Sequence, residues 1–173
     1  MSYLIPGIYN AAASPYGMSP GNGAAANASA LSAAIHDCLN AGGGIVIIPS
    51  WDGVTNGTYK MATVTIPPTG SSGSQLLICG TGLGTTLEVQ SSQDLFDVNG
   101  TNYVTFQDLI VQYDPGKTGT AFNFSGGMGH SLFRVNIQDC PNPVEFNSAD
   151  QGYMLQCSVT YTSAFPAVSR LPL

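Results

Sequence analysis

Charge is what this chain most lacks. Only 8% of its 173 residues are charged, four are basic, and the formal net charge is −6. Binding to nucleic acid or to an acidic membrane requires lysines and arginines to neutralise phosphate, so both partner classes are set aside. The plainer meaning of the balance is an acidic, solvated surface. Solubility must then rest on uncharged polar groups, and the abundance of Gly, Ser, Thr and Asn points to a β-rich chain with many turns. Nothing apolar is long enough to span a membrane, and Met1-Ser2-Tyr3-Leu4-Ile5-Pro6 has neither the basic start nor the apolar core of a secretory signal. Cysteine is scarce: Cys38, Cys79, Cys140 and Cys157 show no C-x-x-C spacing, which leaves out zinc and thioredoxin-like motifs and makes free core thiols the default. Acidic residues never stand adjacent or one apart, the nearest pair being Asp94 and Asp97, so no metal site is visible. A phosphate loop is missing too, since Gly80-Thr81-Gly82-Leu83-Gly84 lacks the lysine and following helix that one needs.

What is present is organised around residues 27–59. Leu31, Ala34, Ile35, Cys38 and Leu39 recur at spacings of three and four, the apolar stripe of a helix expected over about 28–41, with Asn27 or Ser29 as N-cap. Gly42-Gly43-Gly44 stops it, because residues without a side chain accept positive φ and let the backbone turn sharply. Ile45-Val46-Ile47-Ile48 follows, β-branched and closed by Pro49, as expected of a short strand buried on both sides. A second alternating run, Ala62-Thr63-Val64-Thr65-Ile66, ends at Pro67-Pro68. Residues 1–23 carry three prolines and no periodicity, and are expected to be a lead-in arm or a contact to a neighbour.

From Gln75 onward the chain repeats itself. Leu95-Phe96-Asp97-Val98 matches Ala121-Phe122-Asn123-Phe124 and Pro143-Val144-Glu145-Phe146, at offsets of 26 and 22 residues. The same offsets carry Phe106-Gln107-Asp108-Leu109-Ile110-Val111 onto the runs beginning at Leu132 and Met154. Two strand motifs sharing one pair of offsets predict a solenoid with stacked coils, burying Phe96, Val98, Phe106, Leu109 and Val111 or their counterparts. A leucine-rich repeat has a similar period, but its L-x-x-L-x-L-x-x-N signature is absent.

The order A-x-A-L-x-A-A-I, G-G-G-x-V-x-I-P and G-T-Y, followed by Cys79-Gly80-Thr81-Gly82 and Thr85-Thr86-Leu87, resembles the N-terminal module of the pectate-lyase-like superfamily over roughly residues 20–160. That resemblance implies an all-β, right-handed parallel β-helix with an N-terminal capping helix. It also implies a polysaccharide partner, met by a lyase, a glycoside hydrolase or a phage tail spike. Calcium is the cofactor some such lyases use. The N-T-D, D-D, G-H-G and R-I-K elements of polygalacturonase-type relatives are missing, and Gly129-His130-Ser131 is only a partial echo. His130 aligns with interior Val104 and is expected to be a buried or turn histidine, as is His36 on the helix flank.

In register, outward residues form columns. Asp97, Asn123 and Glu145 make one, with the two carboxylates about 10 Å apart, at or just beyond the upper end of the separation that holds a water between acid and base in an inverting glycosidase. Asp97 and Glu145 are therefore the candidate catalytic pair and Asn123 a sugar contact, although polar residues alternate outward on any half-exposed strand. Tyr113, Asp139 and Tyr161 make a second column, where aromatic faces beside a carboxylate suit sugar rings, or else pack at corners. Asp108 and Arg134 are placed to pair across successive coils.

After Thr160 the chain runs Ala164-Phe165-Pro166-Ala167-Val168 with no polar cap, so the solenoid, taken over 24–165 with a tail at 166–173, is expected to continue in a longer chain or be covered by another, as in a homotrimer. The leading expectation is a carbohydrate-directed β-helix module from a lyase or hydrolase whose catalytic coils lie mostly beyond this chain. The alternative is a tail-spike or virion component that binds host glycan. An extracellular or virion location fits either.

Overall fold

The computed structural model describes residues 7–50, 57–68, 74–82 and 84–162. The tail at 166–173 and the run from Ala164 to Val168 lie outside them. Within them the chain is an all-β parallel solenoid of about four turns with one helix near its N-terminus.

The first coil consists of β2 (Gly43–Ile48), β3 (Thr58–Met61) and β4 (Val64–Ile66), preceded by β1 (Gly7–Asn10) and α1 (Ala24–Asn40). The second is β5 (Gln75–Gly80), β6 (Thr86–Val89) and β7 (Phe96–Asn99); the third is β8 (Val104–Gln107), β9 (Ile110–Tyr113) and β10 (Thr120–Ser125). The fourth is β11 (Met128–Phe133), β12 (Asn136–Gln138) and β13 (Asn142–Asn147), and β14 (Asp150–Leu155) with β15 (Ser158–Thr160) begins a fifth. Like strands stack into three parallel sheets. A six-stranded face runs β1-β2-β5-β8-β11-β14, a five-stranded face β15-β12-β9-β6-β3, and a four-stranded face β13-β10-β7-β4.

The register is the one the internal repeat predicts. Phe96, Phe122 and Val144 align on the four-stranded face, and Phe106, Leu132 and Met154 on the six-stranded face, at offsets of 26 and then 22. Phe96, Val98, Phe106, Leu109 and Val111 are all fully buried. Phe106 sits between two neighbours, its ring centroid 4.5 Å from that of Phe96 and 4.8 Å from that of Phe122. Phe124 stacks on Phe146 at 5.0 Å. At the last described strand of each face the equivalent inward side chains Phe146, Met154 and Val159 are about two-fifths exposed or more, because no described strand stacks beyond them.

From the third coil onward the bend from the six-stranded to the five-stranded face is made by one residue in left-handed conformation: Asp108 (φ 55°), Arg134 (φ 51°) and Gln156 (φ 54°). Such a φ is unfavourable for residues with a Cβ, by about 1–2 kcal/mol each. Backbone bonds to the next coil hold it, from Asp108 N to Phe133 O (3.1 Å) and from Arg134 N to Leu155 O (3.0 Å). The Arg134 guanidinium grips the Asp108 carboxylate two-pronged, with Nη2 at 2.6 Å from Oδ2, as their alignment predicted. This contact holds the Asp108 carboxyl below the usual range.

Several local expectations change. The helix starts at Ala24, earlier than residue 28, with Gly23 at the N-cap position. Asn27 is not a cap. It is buried inside α1, where its carboxamide accepts from Ser19 N (3.0 Å) and donates to Lys60 O (3.1 Å), tying the preceding segment to β3. The arm is not free either, since β1 within it extends the six-stranded face by pairing with β2. Gly42-Gly43-Gly44 is the expected hinge, with φ of 95°, 103° and 151°. A Cβ on Gly43 would lie 2.4 Å from Gln75 O, so the close approach of β2 to β5 also requires glycine there. The strand at 62–66 is shorter than expected, beginning at Val64. β2 is buried on one side only, with Ile45 and Ile47 half-buried on the outside. His36 is exposed, its Nδ1 3.1 Å from Asn40 Nδ2.

Candidate functional site

The pleat sends alternate side chains of β7, β10 and β13 outward, and the register lines them up. Thr65, Asp97, Asn123 and Glu145 form one column on the four-stranded face, and Asn99, Ser125 and Asn147 the next. The first sequence-predicted trio is therefore brought together on adjacent strands, each side chain half-buried. Asn147 fixes part of it: its Nδ2 donates to Asn123 Oδ1 (3.0 Å) and Glu145 Oε2 (3.2 Å), while Ser125 Oγ donates to the same Asn123 oxygen (3.3 Å). The result is a strip of carboxylates, amides and a hydroxyl with no basic group on either column. Two strand spacings put Asp97 and Glu145 about 10 Å apart.

The second trio does not face solvent as a set. Tyr113 is fully buried, its hydroxyl directed at Thr120 O (2.9 Å) and Gln93 O (3.0 Å), and burial pushes its phenol well above the usual range. Asp139 is also buried and left-handed (φ 54°), accepting from Thr162 N (2.7 Å) and Thr162 Oγ1 (2.6 Å). Only Tyr161 is half-exposed. Parity is the physical reason: Tyr113 stands two residues after interior Val111 on β9, so the pleat turns both inward. Neither Tyr113 nor Asp139 offers a surface to a saccharide.

His130 is buried as its alignment with Val104 implied, stacked on Phe124 with ring centroids 4.7 Å apart. Its Nε2 lies 3.1 Å from Gly126 O, an atom that only accepts, so the hydrogen resides on Nε2. Nδ1 has no partner, and burial lowers the ring's pKa below the usual histidine value. The cysteines are free, and burial pushes the Cys38 and Cys140 thiols up to about 11. Among the described residues no three acidic, histidine or cysteine side chains converge to hold a metal. No helix among them is long and apolar enough to cross a membrane.

The six-stranded face differs from the other two. Its outward columns read Ile8, Ile45, Leu77, Thr105, Ser131, Tyr153 and Asn10, Ile47, Cys79, Gln107, Phe133, Leu155, without a charged residue. A cavity of about 450 Å³ opens on it, walled by Ile45, Leu77, Tyr103, Thr105 and Gln107. The sequence does not mark these residues as a binding surface; Ile45 is read there as part of a strand buried on both sides. The signal was there in the apolar residues on both parities of Ile45-Val46-Ile47-Ile48 and Leu76-Leu77-Ile78, which mark an outer face as well as an inner one. Comparison with family models, with curated proteins and with solved structures gave no match, so the likeness to pectate-lyase-like proteins rests on the motifs quoted above and on the parallel solenoid itself.

Proposed function

We propose that this chain is a carbohydrate-directed β-helix module of the pectate-lyase-like kind, working on polysaccharide as part of a lyase or glycoside hydrolase. The observation that carries the proposal is the in-register column of Asp97, Asn123 and Glu145 on the four-stranded face. A parallel sheet presents such a column at the repeat of its strands, so an extended glycan lying across β7, β10 and β13 meets one polar side chain per strand. Asp97 and Glu145 bracket Asn123 at about 10 Å, at or just beyond the upper end of the spacing at which one carboxyl protonates the glycosidic oxygen while the other activates a water. Asn147 limits the rotation of both Asn123 and Glu145, which keeps the second carboxylate in one orientation.

The test is incubation with polygalacturonate and with neutral polysaccharides, reading reducing ends for hydrolysis and ultraviolet absorbance of unsaturated ends for β-elimination. Asp97→Asn and Glu145→Gln are each expected to lower turnover by about a hundredfold or more. Full activity in both variants, or no cleavage of any glycan, would remove the catalytic assignment.

A further inference from the structure

Tyr103 is held in a conformation that costs free energy, and its surroundings are built to keep it there. Its φ of 53° is left-handed, unusual for a bulky side chain. Both of its backbone groups are committed, the N–H to Met128 O (2.8 Å) and the C=O to Leu76 N (3.2 Å), so neighbouring coils impose the strain. The ring lies over Gly129, where a Cβ would come within 2.5 Å of Cδ1; only glycine at that position lets the ring rest there. Nevertheless 39% of Tyr103 is exposed. A strained, cradled and accessible aromatic forms one wall of the cavity on the six-stranded face.

The polar groups around it are equally fixed. Gln107 donates Nε2 to Asp108 Oδ2 (2.8 Å), and Asp108 is clamped by Arg134, which leaves the Gln107 carbonyl oxygen as a positioned acceptor. Thr105 Oγ1 is paired with Ser131 Oγ at 2.8 Å, and Gln75 stands exposed at the rim. Ile45 and Leu77 supply the apolar wall. Among the described residues no charged side chain lines the cavity, and its volume of about 450 Å³ falls in the range of small-molecule sites.

From this arrangement we infer that the groove binds a neutral saccharide, one pyranose ring stacking its C–H face on Tyr103 while its hydroxyls meet Gln107, Gln75 and Thr105. An anionic sugar finds no cation there and is opposed by the chain's net charge of −6. A purely apolar ligand would strip water from the amides without replacing it. The groove lies on a different face from Asp97 and Glu145 and stands whether or not those residues are catalytic.

The experiment is saturation-transfer NMR and calorimetric titration of the full chain with cellotetraose, maltotetraose and tetragalacturonate. A neutral tetrasaccharide is expected to bind, with saturation reaching its ring C–H protons. Tyr103→Gly keeps the left-handed backbone and deletes the ring, so it should weaken binding about tenfold with the far-ultraviolet CD spectrum unchanged. Gln107→Leu should weaken it also. Absence of binding by both neutral sugars, tighter binding of tetragalacturonate, or affinity unchanged in both variants overturns the proposal. Loss of affinity in Asp97→Asn but not in Tyr103→Gly would place the sugar on the four-stranded face, overturning the groove while leaving the catalytic column intact.

Discussion

Replacing Phe106 by alanine removes the middle ring of the interior stack. Phe106 is fully buried and its ring meets those of Phe96, Phe122 and Phe124, with centroids 4.5, 4.8 and 6.2 Å away. Neighbouring coils confine it on both sides, so the cavity cannot collapse easily, and a loss of about 3–5 kcal/mol is expected for such a truncation. Phe146 offers the internal comparison. It is 40% exposed and stacks on Phe124 alone. Only part of its side-chain transfer free energy is at stake, so Phe146→Ala should cost about 1–2 kcal/mol. The difference is large against a total stability of about 5–15 kcal/mol. Urea titration followed by far-ultraviolet CD measures both variants, with Phe106→Leu expected to recover much of the loss. If Phe146→Ala is as damaging as Phe106→Ala, the rings do not form a stacked interior and the coil assignment is wrong.

His130 predicts a pH dependence. Its folded pKa lies below the ordinary value, so the unfolded chain takes up a proton that the buried ring resists. Stability should be full above about pH 6.5 and fall as the pH drops below that, with a slope of at most about 1.4 kcal/mol per unit. Urea midpoints between pH 7.5 and 5 test this, and His130→Phe should flatten the slope; an equal slope in that variant refutes it. Two hinge glycines separate backbone strain from crowding: Gly42 and Gly43 share a positive φ, but only Gly43 faces a neighbour within contact distance. Gly43→Ala should therefore cost about 2–3 kcal/mol and Gly42→Ala about 1, read as the difference in thermal midpoints; equal losses would remove the packing explanation.

The solenoid was legible because a buried aromatic or aliphatic residue must recur wherever a strand restacks, and Phe96, Phe122 and Val144 record that requirement at fixed offsets. Hydrogen-bond register then places Asp97, Asn123 and Glu145 together with no further information. What escaped were features decided by parity or by distant partners. Placing Tyr113 in an outward, sugar-facing column overlooks its distance of two residues from Val111, which turns it inward. Asn27 looked like a helix cap in local sequence, yet its bonding partner Lys60 O lies 33 residues away and appears only once β3 has folded back over α1. The groove beside Tyr103 depends on a left-handed backbone whose cause, the bonds to Met128 and Leu76, spans three coils.

The three faces share an interior but not a chemistry. Because every inward side chain answers to the coils above and below it, while the outward ones answer mainly to neighbours on their own face, the molecule behaves as a prism whose sides can be rewritten one at a time. A substitution on the side of Tyr103 needs no adjustment beneath Asp97, and the converse holds as well. A short solenoid thus carries unrelated chemistries on its separate sides, with the pile of phenylalanines at its axis indifferent to either.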